Sequence, residues 1–587
     1  MISHVLDTGF PPGLIFIIGA IFIPLLKGKF KSAFMLMLPV LAFMTMFRMS
    51  EGTHWVFRFL DYDLVLGQVD RLSLIFGYIF TLISFIGVIF ALKVEDDTQH
   101  VAAFVYAGSA LGVTFAGDLF SLYIFWELMA VASTFLILAS RTKASQKAAF
   151  RYILIHVVGG LFLLAGIILF INDTGSMKIT HMTLNSSATW LIFIGVALNA
   201  AIPPLHPWLK DAYPEATVTG AVFLSALTTK SAVYVMARTF AGAELLIWLG
   251  AFMTVLPVFY AEIENDIRRV LSYSLINQVG FMMVGVGIGT QLAINGTVSH
   301  AFCHILYKAL LFMAAGSVLH VTGKIKCTDI GGLYRTMPLT CFFCLVGAAS
   351  ISAFPLFSGF VSKSMIISAA GHDYLPIIWI MLQFASAGVI AHAGIKVPFF
   401  TFFGHDSGIR AKEPPLNMLI AMGIAAFLCI FLGVYPQLLY NILPYPVDYI
   451  PYTGAHVVGQ LQLLMFGIMA FYFFLQSGYY PSEIRAINID FDWFYRKPLN
   501  ALERGIALVL NGLNNASDRI LVINFTGSVN RFAVEPITKL TCFVLAPFTK
   551  KESVEQIIAS AFRTGSSPIG IYAAATVLFI VVLYIFL

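Results

Sequence analysis

The sequence predicts an all-α polytopic membrane protein. About 14 core transmembrane helices are expected, arranged as two inverted repeats containing broken helices, with extra helices toward the C-terminal end. Three observations carry this. Of 587 residues 59% are hydrophobic and 11% charged, whereas a soluble chain of this size would carry about 25% charged residues, roughly 150 side chains. The 35 basic and 30 acidic residues present cannot clothe a water-facing surface, and the mean hydropathy is +0.87. The apolar residues fall in long continuous runs, which excludes the alternation of a membrane β-barrel. Two of the runs are broken by proline close to a buried charge, the sequence sign of repeats around a midplane ion path.

Runs of spanning length fall at 12–26, 32–49, 72–92, 101–117, 119–140, 149–171, 189–208, 217–240, 244–262, 271–290, 293–320, 337–370, 372–403, 415–440, 458–477 and 567–587. The first follows Asp7 and precedes Lys27, Lys29 and Lys31, so it reads as an anchor with its N-terminus outside and not as a cleavable signal. The basic loops 27–31, 141–151, 324–335 and 410–412 all fall on one side with these spans, and the positive-inside rule makes that side the cytoplasm. Residues 478–566 mix ten Lys/Arg with eight Asp/Glu. Within them Leu502, Ile506, Val509, Leu510, Leu513, Ile520 and Leu521 form a helical stripe, suited either to lying along a surface or to a cytoplasmic linker. The expected organisation is therefore N-terminal helices 1–100, a first half-channel 101–262, a second 263–403, further core helices 404–477, the amphipathic segment 478–566 and an anchor 567–587.

Inside the runs, each ionisable residue costs roughly 2.5–3.5 kcal/mol at the bilayer centre on insertion scales, so it marks a function or a partner. Glu127 lies mid-helix in Phe125-Trp-Glu-Leu and Lys230 in Leu227-Thr-Thr-Lys. His300, His304 and Lys308 are spaced four apart, which stacks them in one column on a helix face. Lys363 follows Ser358-Gly-Phe-Val-Ser. His-x-x-x-His is also zinc spacing, but no nearby acid completes it and a lysine continues the column. A proton relay suits these groups, because histidine exchanges its proton near neutrality. A histidine merely packed against the backbone remains the alternative for His300. Lys396, near a helix end, is expected to snorkel to the headgroups. The breaks are Pro203, Pro204 and Pro207 in one span, and Pro355 with Gly359 in another. Cys341 and Cys344 form C-F-F-C within an apolar run and read as packing residues. Gly285-Val-Gly-Ile-Gly ends an apolar helix with no strand before it, so it carries no nucleotide-site weight.

Several stretches together resemble the antiporter-like subunits shared by respiratory complex I (the NADH:quinone oxidoreductase membrane arm) and the Mrp-type multisubunit Na+/H+ antiporters. They are Phe125-Trp-Glu-Leu, Pro204-Leu-His-Pro-Trp-Leu-Lys-Asp-Ala, Asn265-Asp-Ile-Arg-Arg-Val-Leu-Ser-Tyr-Ser, His304-Ile-Leu-Tyr-Lys-Ala-Leu-Leu-Phe and Gly359-Phe-Val-Ser-Lys. They cover residues 70–440, and the Mrp D subunit looks nearest. The resemblance implies that Glu127 is the membrane glutamate and Lys230 the lysine of the following hairpin. It implies that His304 and Lys308 belong to the central connecting helix, and that Lys363 is the terminal group exchanging protons with one side. Asp266, Arg268 and Arg269 match a structural loop motif. One position departs from the pattern: Asn199 stands where the family carries the lysine that partners the glutamate. Glu127 then lacks the cation that would keep it ionised, and desolvation favours the neutral acid.

The resemblance implies a proton-translocating subunit of a larger membrane complex, most simply one exchanging Na+ for H+ in a bacterial-type cytoplasmic (inner) membrane. Its expected partners are other integral membrane subunits, with H+ and Na+ as the ions considered. A proton-pumping subunit of a redox complex of the complex I or hydrogenase type and a non-conducting scaffold are the alternatives. The sequence holds no nucleotide, flavin or iron–sulfur motif, so no cofactor is expected and the chain is not itself a dehydrogenase, although it could serve a quinone-linked translocase. The net charge of +5 gives no reason to expect nucleic acid.

Overall fold

In the computed structural model the described residues are 10–60, 62–478, 484, 488–529 and scattered positions beyond. The anchor expected at 567–587 and most of 530–566 lie almost wholly outside them. The chain divides into two units, Met1–Asp492 and Trp493–Leu587.

The first unit is a helical bundle. It opens with α1 (Pro12–Phe22) and α2 (Gly28–Met46). A β-hairpin follows, β1 (Gly52–Phe59) paired antiparallel with β2 (Tyr62–Val69), in register Gly52 to Val69. This hairpin has no counterpart in the sequence reading. Next come α3 (Arg71–Ala91), α4 (Asp97–Phe115), α5 (Leu119–Leu138) and α6 (Lys143–Thr174). The first broken span is α7 (Ser187–Asn199) with α8 (Pro207–Ala212). A second interruption, at Leu227, separates α9 (Val218–Ala226) from α10 (Thr228–Thr239). The bundle continues with α11 (Glu244–Ile263), α12 (Ile267–Ile288) and α13 (Gln291–Thr322). The last broken span is α14 (Pro338–Ile351) with α15 (Ser358–His372). Then come α16 (Pro376–Val389), which runs on as a π-helix through Lys396, α17 (Leu416–Val434), α18 (Gln437–Tyr440) and α19 (Gly454–Ser477). Among the described residues, 11 helices are long and apolar enough to cross a membrane, and three further apolar ones are shorter.

The two repeats are visible in matched local devices. Asp118 caps α5 and pairs through a β-bridge with Lys178; Asp266 caps α12 and pairs with Lys326 in the same way. The helices α6 and α13 each have 32 residues and end on a left-handed glycine, Gly175 and Gly323. Each broken span turns on a left-handed alanine, Ala201 (φ 58°) and Ala353 (φ 56°). In each, the next amide closes a wide turn: Ile202 N donates to Ala197 O at 3.1 Å and Phe354 N to Ala349 O at 3.0 Å. Prolines then prevent the helix from resuming at once. Gly359 is needed because an added Cβ would overlap the Ser350 carbonyl oxygen. Four spans (α6, α7–α8, α9–α10 and α11) lie between the matched α5 and α12, so the two copies run in opposite directions.

α13 is the axis of the bundle. Its residues from Ala293 to Val318 are buried, and it packs against α9, α12, α14, α15, α17 and α3. In the second unit, α20 (Pro498–Ser517) carries Leu502, Ile506, Val509, Leu510 and Leu513 as an exposed apolar stripe and passes into a π-helix, Asp518–Phe525.

Candidate functional site

The broken helices create the site. A helix stopped inside the bundle leaves main-chain carbonyls without partners, and these bear the negative end of the peptide dipoles. Lys363 Nζ donates to Ile351 O, the last residue of α14, at 2.8 Å. Lys230 Nζ donates to Ser225 O at 2.5 Å, beside the interruption between α9 and α10. Both lysines are buried. Lys396 repeats the arrangement: it is fully buried and donates to Ala261 O at 3.3 Å and Glu262 O at 2.5 Å, at the carbonyl end of α11. The snorkelling expected for Lys396 is therefore wrong. The π-helical stretch turns the side chain inward, where carbonyls and not headgroups receive it.

Lys308 differs. It is buried at the middle of α13, and its Nζ has no hydrogen-bond partner among the described residues. Lys230 and Lys363 both act on it electrostatically. His304, one turn earlier, is buried with both ring nitrogens unpartnered, and it feels Lys230, Lys308, His300 and Lys363. His300 Nδ1 stands 3.1 Å from Ser362 Oγ on α15, and its ring centroid is 6.2 Å from that of His304. The structure thus gathers Lys230, His300, His304, Lys308 and Lys363 into one cluster of basic groups. Phe281 lies under Lys363 at 5.3 Å.

Glu127 stands apart from this cluster. It is half-buried on α5, its Oε1 has no partner among the described residues, and no ion pair joins it to Lys230. Its carboxylate occupies the notch left by Gly160 on α6, where a Cβ would collide with it. Asn199, at the end of α7, is fully buried, and neither side-chain atom has a partner. Pro203, Pro204 and Pro355 lie in the two breaks, and the Pro203–Pro204 peptide is cis. Asp266 accepts from Arg268 N and Arg269 N, and the buried Arg268 donates to the carbonyls of Tyr213, Ala216 and Thr217. Cys341 and Cys344 are buried free thiols.

A cavity of about 570 Å³ opens at Lys363. Ser364, Ser368, Trp379 and Gln383 line one side, with His456, Gly459 and Gln460 of α19 opposite. Lys363 is the member of the basic cluster that lines this cavity.

Sequence reasoning missed the polar lining between these charges. Tyr307 OH donates to Gln278 Oε1 at 3.1 Å, Gln278 Nε2 to Asn277 Oδ1 at 2.5 Å, and Asn277 Nδ2 to Thr254 O at 2.5 Å. The Tyr307 ring meets His304 edge-on at 5.2 Å. In the first half, Tyr152 meets Ser133 at 2.9 Å, and Tyr106 meets Thr228 Oγ1 at 2.6 Å beside the Leu227 interruption. His156 stacks on Tyr152 at 3.9 Å, and His392 lies within electrostatic reach of Lys308, Lys363 and Lys396. Both histidines sit in apolar runs, so the test that singled out Lys230 could have found them. The hydroxyls and amides give no such signal.

Comparison with known proteins places this geometry. The family described as NADH:quinone oxidoreductase/Mrp antiporter, transmembrane region, matches residues 116–390. The Na(+)/H(+) antiporter subunit A1 of Staphylococcus haemolyticus (strain JCSC1435) is 29% identical over 484 residues, covering 72% of this chain and 60% of that protein. Its counterpart from Staphylococcus aureus (strain JH9) is 28% identical over 489 residues, covering 72% and 61%. The chain spans about three fifths of the length of these curated relatives. They are named as A1 subunits, whereas the motifs suggested the D type. Among solved structures, the Mrp complex from Dietzia sp. DQ12-45-1b has a chain that matches with TM-score 0.74 at 22% identity, over 92% of this chain and 63% of that one. The membrane-bound sulfane sulfur reductase, an archaeal respiratory membrane complex, matches with TM-score 0.66 at 24% identity, over 79% and 99%. Both likenesses concern the fold.

Proposed function

We propose that this chain, whose residues 116–390 match the NADH:quinone oxidoreductase/Mrp antiporter family, is a proton-translocating subunit of a multisubunit complex that exchanges Na+, or another monovalent cation, for H+. Its place is a bacterial cytoplasmic membrane, with the basic loops inside. The observation that carries the reading is Lys308. Of the buried lysines in the described spans, Lys230, Lys363 and Lys396 rest on helix-end carbonyls, while Lys308 stands between two of them without an acceptor. A proton reaching Lys230 or Lys363 repels one on Lys308, so charge moves stepwise through coupled sites. His304 and Tyr307 bridge, and Lys363 exchanges with water in its cavity. The half-channels are 101–262 and 263–403; the second holds the full set of groups, and Glu127 serves the first.

The test is Na+-dependent proton movement in inverted vesicles from cells lacking their own antiporters, with all partner subunits expressed. Na+ collapses the pH gradient with the native chain, and Lys363→Met or Lys308→Met abolishes this. Proton movement that survives both substitutions refutes the reading. A redox-driven pump is the second reading, favoured by the fold likeness to the archaeal respiratory complex. It gains if Na+ has no effect and flavin or iron–sulfur subunits copurify.

A further inference from the structure

The segment Asn488–Asp492, which belongs to the first unit, supports a step not included above; the inference rests on the proton-translocation reading. The sequence places this segment in the stretch 478–566, expected either along a surface or as a cytoplasmic linker, yet Asp490 and Asp492 are buried in the bundle. The Asp490 side chain is fully buried. Its Oδ1 lies 3.3 Å from His206 Nε2, its Oδ2 lies 3.6 Å from Lys210 Nζ, and it accepts a hydrogen bond from Tyr273 OH at 2.9 Å. Asp492 Oδ1 accepts from Lys210 Nζ at 3.1 Å, and Asn488 Nδ2 donates to Glu264 Oε2 at 3.4 Å. The Phe491 ring meets His206 edge-on at 5.7 Å.

His206 belongs to the first broken span, immediately before α8, and is fully buried. Nε2 lies within ion-pair distance of Asp490, and neither ring nitrogen has a hydrogen-bond partner among the described residues. The groups around the couple are few. On α8 are Lys210 and Asp211, the latter paired with Arg151 of α6 at 2.6 Å. On α12 is Tyr273, and on α11 Tyr260, stacked on Tyr273 at 5.2 Å. Glu264 and Asp492 complete the surroundings. Burial pushes the Asp490 carboxyl up, but His206 and Lys210 outweigh it and hold it down to about 2. The two basic side chains facing it favour the carboxylate form of Asp490. The site lies at the face of the basic loops, since Glu264 precedes Asp266, which is bridged to Lys326.

We propose that Asp490 and His206 form a carboxylate–imidazole couple that exchanges protons with the aqueous phase at the mouth of the first broken helix. His206 is the carrier and Asp490 its positioning residue. A proton delivered to the ring gives an imidazolium paired with Asp490 across the 3.3 Å approach. Release of that proton restores the neutral ring, and no bond other than N–H is made or broken. Lys210 and Tyr273 fix the carboxylate. A carboxylate beside an imidazole orients the ring, selects its tautomer and stabilises its charged form.

The experiment uses the full complex in inverted vesicles and follows the pH profile of Na+-driven proton movement, with complex yield measured on the same preparations. Asp490→Asn lowers the rate several-fold and moves the midpoint toward acid by about one pH unit or more, because the imidazolium has lost its counter-charge. Asp490→Glu keeps the native midpoint, and His206→Gln removes that limb of the profile. Asp492→Asn, which removes an acceptor of Lys210 and leaves the Asp490–His206 approach intact, leaves the midpoint in place. An unmoved midpoint in Asp490→Asn, even with reduced rate or yield, means a clasp that only holds the segment and overturns the proposal. If the native complex moves no protons, the functional reading itself has failed. The couple is then read by difference infrared spectroscopy across neutral pH: an imidazole signal displaced by Asp490→Asn sustains it, and its absence overturns it.

Discussion

The resemblance makes Asn199 an expected departure from the family pattern, and its surroundings fix what replacing it should do. The residue is fully buried, and neither its amide nitrogen nor its oxygen has a partner. A buried polar group left without a hydrogen bond costs about 1–3 kcal/mol. Leucine has the same number of side-chain heavy atoms and no such group, although its bulkier methyls reduce the gain where the site is tight. Asn199→Leu should therefore stabilise the folded protein by about 1–3 kcal/mol, an unusual sign for a substitution in a packed core. The assay is the unfolding free energy of the purified complex in a denaturing-detergent titration, paired with proton movement in vesicles. If Asn199 only fills space, stability rises and transport stays within about twofold. If its amide holds a conducted proton or water, stability rises and transport falls tenfold or more. Unchanged or reduced stability refutes the reasoning, because the amide would then have partners that repay its burial.

Three other outcomes follow from particular contacts. Gly459 lines the cavity at Lys363, and an added Cβ there meets nothing within 4 Å. Gly459→Phe should block the cavity without strain, cutting transport at least fivefold at unchanged stability; full transport would show that protons leave Lys363 another way. Tyr307→Phe removes the donor to Gln278 Oε1, which should cost about 1–2 kcal/mol and slow transport through His304; thermal unfolding and vesicle assays read the two effects separately. Asp70 caps α3 and holds Arg238 through two 2.7 Å bonds. Burial pushes its carboxyl up, but the Arg238 bond and charge, with Ser73, hold it below the usual range. A depressed folded value means stability that is present above the unfolded pKa of about 3.9 and lost as pH falls through the folded one. Comparison with Asp70→Asn should show a gap of about 1–2 kcal/mol, reduced by partial exposure, that is constant from neutral pH down to about 4 and closes below it. A gap that widens on acidification would contradict the pairing.

Much of the fold was legible because burying charge in a membrane is so costly. Glu127, Lys230, His300, His304, Lys308 and Lys363 stood out for that reason alone, and proline marked both broken spans. The partners of these groups were not legible. Lys396 looked like a snorkelling residue because its own helix end is near; the carbonyls that receive it belong to α11, and only packing brings them there. Asp490 lay in a stretch of ordinary charged composition, far along the chain from His206 and Lys210. The hairpin β1–β2 hid in a polar interval, since two short strands that pair with each other leave little periodicity for a hydropathy reading. Tyr307, Gln278 and Asn277 carry no charge, so nothing distinguished them until their hydrogen bonds were seen.

At the same step along the matched helices α6 and α13 stand Gly160 and Lys308. In one copy the position is a notch occupied by the carboxyl group of Glu127; in the other it carries a lysine side chain. Two identical copies facing opposite ways would offer the same route from either face, and a proton could travel each as easily backward as forward. A machine of that kind has no preferred sense. Divergence at this position gives the two copies different chemistry at one matched step, which under the proposed function would let the two faces be told apart.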